Sequence, residues 1–263
     1  MCCMKRGRAC REGPANNAGA DPVLDGPSWS ERVSVHSVAG AYFLVKPGPM
    51  LPTGFLTASA CLADTAPDSW AIEWVKTKPG EREENAARLG IRAADLEAVI
   101  RWATDHLAGG GFAWPNVFSD LGSARAFRTR FLPSDIHLLG IALAVEFVDA
   151  FLLLAAPPPQ RPGFAPVGAT GVYEVLSARA PLAAGGMRRG YEVLGYDTAG
   201  QFDSFRCNDL QQDFERLYGA RFNEWGLFDD EAVARECAAY ASRPEVGACS
   251  STWHPWLVEE YPS

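Results

Sequence analysis

The hydrophobic pattern is densest between residues 133 and 156, and its period changes within that stretch. Residues 136–143 are apolar on both faces of an extended chain, which is typical of a strand covered on both sides of a sheet. From Val145 onward Glu146 and Asp149 form one narrow polar stripe on an otherwise apolar helix. The pattern therefore predicts a buried central strand that runs directly into a mostly buried helix.

A membrane span is the alternative interpretation of the same stretch, because a bilayer needs about 20 apolar residues. Glu146 and Asp149 would then lie near the bilayer centre, where an acid costs about 3 kcal/mol on insertion scales. A covered protein core is favoured, so we expect no contact with a membrane.

The rest of the chain gives shorter periodic segments. Helical spacing predicts helices near residues 81–89, 93–107, 119–131, 171–177 and 208–219, and another from 229. Alternation predicts strands near residues 33–45, 55–62, 70–75, 191–196, 202–207 and 253–261. The last is expected at a sheet edge, because Pro255 has no N–H to donate. Strands and helices do not alternate strictly, which indicates a mixed α/β or α+β fold with a partly antiparallel sheet.

Composition shifts divide the chain into parts. Residues 1–30 are polar and rich in Gly, Pro, Asn and Arg, which predicts a disordered N-terminal tail. Residues 157–169 are rich in proline and form a linker or a surface loop. The remaining segments are an α/β part over 31–156 and an α+β part over 170–263, which fold as one domain or as two.

The charge balance narrows the classes of partner. With 24 basic and 32 acidic residues the formal charge is −8, which argues against a nucleic-acid binder and is compatible with a basic protein partner. Arginine makes up 20 of the basic residues, and with the high alanine content this composition is typical of a GC-rich bacterial genome.

Cysteine and histidine usage predicts no metal and no cofactor. The seven cysteines include no CxxC pair, and the four histidines are scattered. Free thiols suit a reducing cytoplasm, and the charged N-terminus has no apolar run of a secretory signal. Nucleotide-binding, hydrolase and kinase motifs are also missing from the sequence.

Cys207 is the candidate nucleophile. It is expected to end a strand directly before Asn208, which would cap a helix with Gln211, and the N–H groups of a helix start favour a thiolate. The general base would be His254 or His137. The competing interpretations are a small buried thiol at Cys207 and a buried core histidine at position 137.

A candidate binding loop precedes the helix predicted from residue 229. It combines an aromatic ring with polar and acidic side chains, at Asn223, Glu224, Trp225, Asp229 and Asp230. A tryptophan beside acidic residues could bind a sugar, a basic peptide or a partner protein, because the indole has an apolar ring and a polar N–H. Core packing for the tryptophan and helix-start stabilisation for the acids are the competing interpretations.

Two classes of function follow. The favoured one is a cytoplasmic, non-catalytic protein-binding module, for example an acidic inhibitor or immunity-type protein that binds a basic partner. The alternative is an enzyme that uses Cys207 as a nucleophile, or a dispersed acid/base site in a cleft between the two parts of the chain.

Overall fold

The computed structural model describes residues 37–45, 80, 82–88, 90–109, 112–113, 117–155, 171–196, 202–206, 208–248 and 252–262. The strands are β1 (Ser37–Val45), β2 (Phe112–Ala113), β3 (Val117–Phe118), β4 (His137–Ala144), β5 (Met187–Tyr196), β6 (Phe202–Ser204) and β7 (Thr252–Tyr261). The helices are α1 (Arg82–Arg88), α2 (Leu96–Gly109), α3 (Leu121–Phe131), α4 (Val145–Ala155), α5 (Gly171–Ser177), α6 (Gln211–Tyr218) and α7 (Glu231–Ala241).

These strands form one seven-stranded sheet in the order β2-β3-β1-β4-β7-β5-β6. Each pairing between them is antiparallel. The predicted fold class, a mixed α/β or α+β fold with antiparallel pairing around a buried central strand, is confirmed. Strands from before and after residues 157–169 therefore lie in the same sheet.

The central strand and its helix lie where the hydrophobic pattern predicts them. β4 is buried along its length except for half-buried His137, and it pairs with β1 on one side and β7 on the other. α4 begins at Val145, directly after the strand, and Val148 and Phe151 face the core. The predicted change from strand to helix is thus confirmed, because the apolar period lengthens at this point of the sequence.

The position of β7 contradicts the prediction made for the C-terminal strand. It was expected at a sheet edge, but it lies inside the sheet, between β4 and β5. Its pairing with β4 begins only at Trp256, whereas its pairing with β5 already includes Pro255. At Pro255 the strand therefore has a neighbour on one side alone, so a proline can be accommodated in a strand that becomes interior one residue later.

The core has a layer on each face of the sheet. On one face α4 and α5 cover a cluster that includes Leu139, Ile141 and Trp256. The opposite face carries two clusters, one with α2 and α3 over β1 and β4, and one with α6 and α7 over β5 and β7. Alternate residues of β4 and β7 contribute to both faces, as the two-residue period of a strand requires.

Several predictions lie outside the described residues. They are the disordered tail 1–30, the strands near 55–62 and 70–75, and the linker 157–169. In the part of the chain that the structure describes, no helix combines the length and the apolar character needed to cross a bilayer.

Candidate binding site

The predicted binding loop is a closed turn docked on β5. We call residues 222–228 the Trp225 loop. Phe222 and Phe228 form an antiparallel bridge that closes it, and Phe228 forms a second bridge to Tyr191 of β5. Gly226 has φ +65°, a left-handed conformation that a glycine adopts without strain, and its N–H donates to the carbonyl of Asn223 at 2.8 Å.

The Asn223 side chain fixes this loop from inside. Its Oδ1 accepts hydrogen bonds from the backbone N–H groups of Trp225 at 2.9 Å and Leu227 at 3.1 Å. Its Nδ2 donates to the Arg189 carbonyl at 2.7 Å and to Asp229 Oδ1 at 2.8 Å. One amide therefore both shapes the turn and ties it to β5, because it offers acceptor and donor groups on the same side chain.

Close contact with Gly190 brings the loop onto the strand. Gly190 has φ +137°, and a Cβ atom there would lie 2.7 Å from the Phe228 carbonyl oxygen and 2.9 Å from Leu227 Cβ. A larger residue would therefore push the loop away from β5. The pairing between β5 and β7 shifts register between Arg188 and Gly190, which leaves Arg189 in the irregular position.

Arg189 connects the loop to the end of the sheet. Its guanidinium carbon lies 4.3 Å from the centre of the Trp225 ring, a cation–π contact. Its Nε donates to Glu260 Oε2 at 2.7 Å. The other carboxylate oxygen, Oε1, lies 2.6 Å from His137 Nδ1. Glu260 thus bridges a histidine at the start of β4 and an arginine near the start of β5.

Electrostatics keep the Glu260 carboxyl group ionised. Burial alone would raise its pKa, but the hydrogen bonds and charges of His137 and Arg189 outweigh burial and hold the pKa below its ordinary value. An ionised carboxylate is an acceptor only, so His137 donates its Nδ1 proton to it. The imidazole ring is therefore oriented by a carboxylate, as in sites where histidine acts as a base.

The predicted acidic residues border the loop with different roles. Glu224 and Asp229 are exposed, and the Asp229 carbonyl accepts a hydrogen bond from Arg188 at 3.1 Å. Asp230 caps α7, since its Oδ1 accepts from the Ala232 N–H at 2.8 Å. Asp230 therefore has a structural role at the helix start, and Asp229 has one as the acceptor of the Asn223 Nδ2 hydrogen bond, although all three acids are exposed.

His254 lies away from this site. It is on β7, six residues before Glu260, a separation on the order of 20 Å at ~3.3 Å per residue. Its ring lies 5.0 Å from that of Phe147, and burial lowers its pKa to about 4, so the imidazole is neutral at physiological pH. The structure does not bring the two candidate histidines together.

Cys207 lies outside the described residues, but its surroundings correct the expected helix cap. α6 begins at Gln211, and no side chain caps it at Leu210. Asn208 instead donates from Nδ2 to the Ser204 carbonyl at 3.1 Å, and Asp209 follows with φ +56°. The predicted cap at Asn208 is wrong because a turn separates the strand from the helix.

Sequence reasoning missed two residues of the site. Arg189 lies at the irregular position of β5, and no periodicity singles it out. Glu260 is not singled out by periodicity either, because it follows Glu259 on β7 and adjacent strand residues face opposite sides. Its true partners, His137 and Arg189, come from other strands and depend on the register of the sheet.

No group of three metal-ligating side chains occurs among the described residues. No protein-family model, no curated protein and no solved structure matches the chain at a significant level.

Proposed function

We propose that this chain is a non-catalytic protein-binding module that recognises a basic partner through the Trp225 loop and the exposed acids Glu224 and Asp229. The observation that carries the proposal is the set of hydrogen bonds made by the Asn223 side chain. A loop held in one conformation before binding loses little conformational entropy on binding, so more of the contact energy appears as affinity.

The charge of the chain supports the choice of partner. A formal charge of −8 raises the rate of association with a basic protein and disfavours acidic competitors. An acidic inhibitor or immunity-type protein of a bacterial cytoplasm is the concrete form that we favour. Trp225 would supply the aromatic anchor, since aromatic residues at the centre of an interface carry much of its binding energy.

Native mass spectrometry of the protein purified from the cells that produce it tests this proposal. We expect a second protein at fixed stoichiometry. Its retention should fall as the salt concentration is raised from about 50 to about 500 mM, because salt screens the attraction between exposed charges. The double variant Glu224→Lys, Asp229→Asn should lose the second protein.

A matched control separates the loop from general charge. Glu83→Lys with Glu84→Gln changes the charge equally at two exposed positions in the first turn of α1. This control should keep the partner. Loss of the partner from both variants, or binding that does not weaken as salt is raised, would contradict binding through the Trp225 loop.

A second candidate function is supported by the contact between His137 and Glu260. In its neutral form, a histidine whose Nδ1 proton is held by an ionised carboxylate has its other nitrogen as an acceptor, so His137 could act as a general base in hydrolysis. This would make the chain an enzyme with a dispersed acid/base site, and Arg189 would position Glu260.

Hydrolysis of p-nitrophenyl acetate is the probe for that candidate. His137→Ala should lower the rate by about a hundredfold and Glu260→Gln by less, as is usual for general-base catalysis. His106→Ala is the control, because His106 stacks on Trp102 of α2. Equal rates in the three variants and the original chain would exclude this activity for His137.

A further inference from the structure

A buried carboxyl group lies behind the Trp225 loop. Glu192 of β5 is 1% exposed, and its partner across the sheet is Trp256 of β7. Its Oε1 accepts a hydrogen bond from the Ser204 hydroxyl at 3.2 Å. The same Ser204 oxygen accepts from the backbone N–H of Arg206 at 3.1 Å. The carboxyl group is thus connected through one hydroxyl to the turn that follows β6.

Burial sets the protonation of this group. It raises the pKa of Glu192 to about 7, against the opposing effects of the Arg206 charge and the Ser204 hydrogen bond. Glu192 therefore changes charge within the physiological range, which an exposed glutamate does not do.

Arg206 connects the same region to the loop. Its Nη2 donates to the Gly226 carbonyl at 2.8 Å, and its Nη1 donates to Gln211 Oε1 at 2.7 Å. The guanidinium group also lies 5.0 Å from the Phe222 ring centre. A single side chain thus contacts the Trp225 loop at the Gly226 backbone carbonyl and at the ring of its closing residue, Phe222.

We propose that ionisation of Glu192 draws the Arg206 guanidinium from the Gly226 carbonyl towards the carboxylate and thereby loosens the Trp225 loop. A carboxylate is a stronger acceptor than a backbone carbonyl, because it carries a full charge. While Glu192 is protonated, Gly226 and Gln211 are the better acceptors and the loop stays closed.

Linkage gives the direction of the effect. The closed state excludes water from Glu192 and therefore binds its proton more tightly than a state in which the carboxylate gains Arg206 or solvent. Raising the pH through 7 favours the state that binds the proton less tightly, which is the loosened loop.

Among the residues that the structure describes, Arg206 is the charged group that acts on Glu192, and Glu192 and Glu215 of α6 are those that act on Arg206. Trp256, which pairs with Glu192 from β7, carries no charge. Glu215 accepts a hydrogen bond from Gln211 and is exposed, so it does not share the burial that shifts Glu192.

Hydrogen exchange of the loop amides in the free chain tests the proposal. The amides of Trp225, Gly226 and Leu227 are all hydrogen-bonded within the loop. After correction for intrinsic exchange rates, we expect their protection to fall about tenfold between pH 6 and pH 8, the factor for one charge-assisted hydrogen bond. Glu192→Gln should keep the pH 6 protection at both values.

Two further variants make the outcome decisive. Ser204→Ala removes a hydrogen bond that favours the carboxylate, so the midpoint of the change should move to higher pH. Glu231→Gln alters a nearby carboxyl group that binds Tyr191 and Arg235, and it should leave the response unchanged. Three results would each overturn the proposal. They are protection that does not change with pH in the original chain, protection that still changes with pH in Glu192→Gln, and a midpoint that is unchanged in Ser204→Ala.

The proposed movement of the Trp225 loop does not depend on the proposed protein-binding function. Exchange is measured without any partner, so failure of this experiment leaves protein binding standing. Failure to find a partner, conversely, leaves the pH response of the loop intact.

Discussion

At the scale of single residues, Asn223 has the most demanding role in the candidate site. It uses both the oxygen and the nitrogen of its amide, to bind two loop N–H groups and two oxygens outside the turn. Aspartate would lack the donors and leucine would lack both groups. The loop could be predicted as a binding candidate from its residue types, but the task of Asn223 could not, because it depends on contacts with Arg189.

Asn223→Ala should therefore lower the free energy of unfolding by about 1–3 kcal/mol, since it leaves partly buried N–H and carbonyl groups without partners. Urea unfolding followed by circular dichroism measures this. Asn208→Ala, which removes a side-chain bond to the Ser204 carbonyl, is the comparison and should cost less. Equal losses would mean that the loop is held by other contacts.

Glu192 gives a second prediction at this scale. Its pKa is raised from 4.5 to about 7 in the folded chain, so the folded state binds this proton more tightly than the unfolded state. The resulting stabilisation is present below pH 4.5 and is lost as the pH rises through about 7, by up to ~3 kcal/mol. Urea unfolding from pH 4.5 to 8 should show this decline in the original chain, and Glu192→Gln should lack it. Parallel stability curves for the two chains would refute the assignment.

At the scale of elements, the central strand is the part that the sequence specifies most clearly. β4 is apolar on both faces because it is covered on both, and a local pattern suffices to recognise such a strand. The place of β7 was not predictable in the same way. Pro255 is a local signal for an edge, whereas the interior position of the strand results from pairing with residues far away in the chain.

Leu139→Ala, in the middle of β4, should lower the free energy of unfolding by about 2–5 kcal/mol, because Leu139 is fully buried and the change leaves a cavity. Thermal unfolding measures the loss. Leu153→Ala is the matched control, since Leu153 of α4 is 83% exposed and should change stability by less than about 0.5 kcal/mol. A melting temperature unchanged by Leu139→Ala would contradict the described core.

At the scale of the whole molecule, the two parts of the chain lie side by side in one sheet and meet where β4 pairs with β7. β1 and β4 come before residues 157–169, β5, β6 and β7 come after them, and β7 pairs directly with β4. The candidate site repeats this arrangement, because His137 belongs to the first part and Arg189, Trp225 and Glu260 belong to the second. The Trp225 loop is one contiguous stretch and could be predicted as a candidate from its residue types. Its connection through Arg189 to Glu260 and His137 could not be predicted, because it depends on the register of the strands.

Residues 31–156 and 170–263, expressed as separate chains, should each fail to show a cooperative unfolding transition. β4 would lose its neighbour β7 and β7 would lose its neighbour β4, and each would expose a long apolar edge. Mixing the two chains should restore one transition, measured by circular dichroism. Two independent transitions in the separate chains would show that the parts fold alone.

The late position of β7 along the chain has a consequence for synthesis. Until residues 252–261 leave the ribosome, β4 and β5 cannot be joined, so each presents unpaired backbone groups and apolar side chains while translation continues. Pairings over such sequence distances form slowly, and intermediates with open edges aggregate readily. Newly made chains should therefore depend on chaperones for longer than a protein of equal size in which neighbouring strands are consecutive.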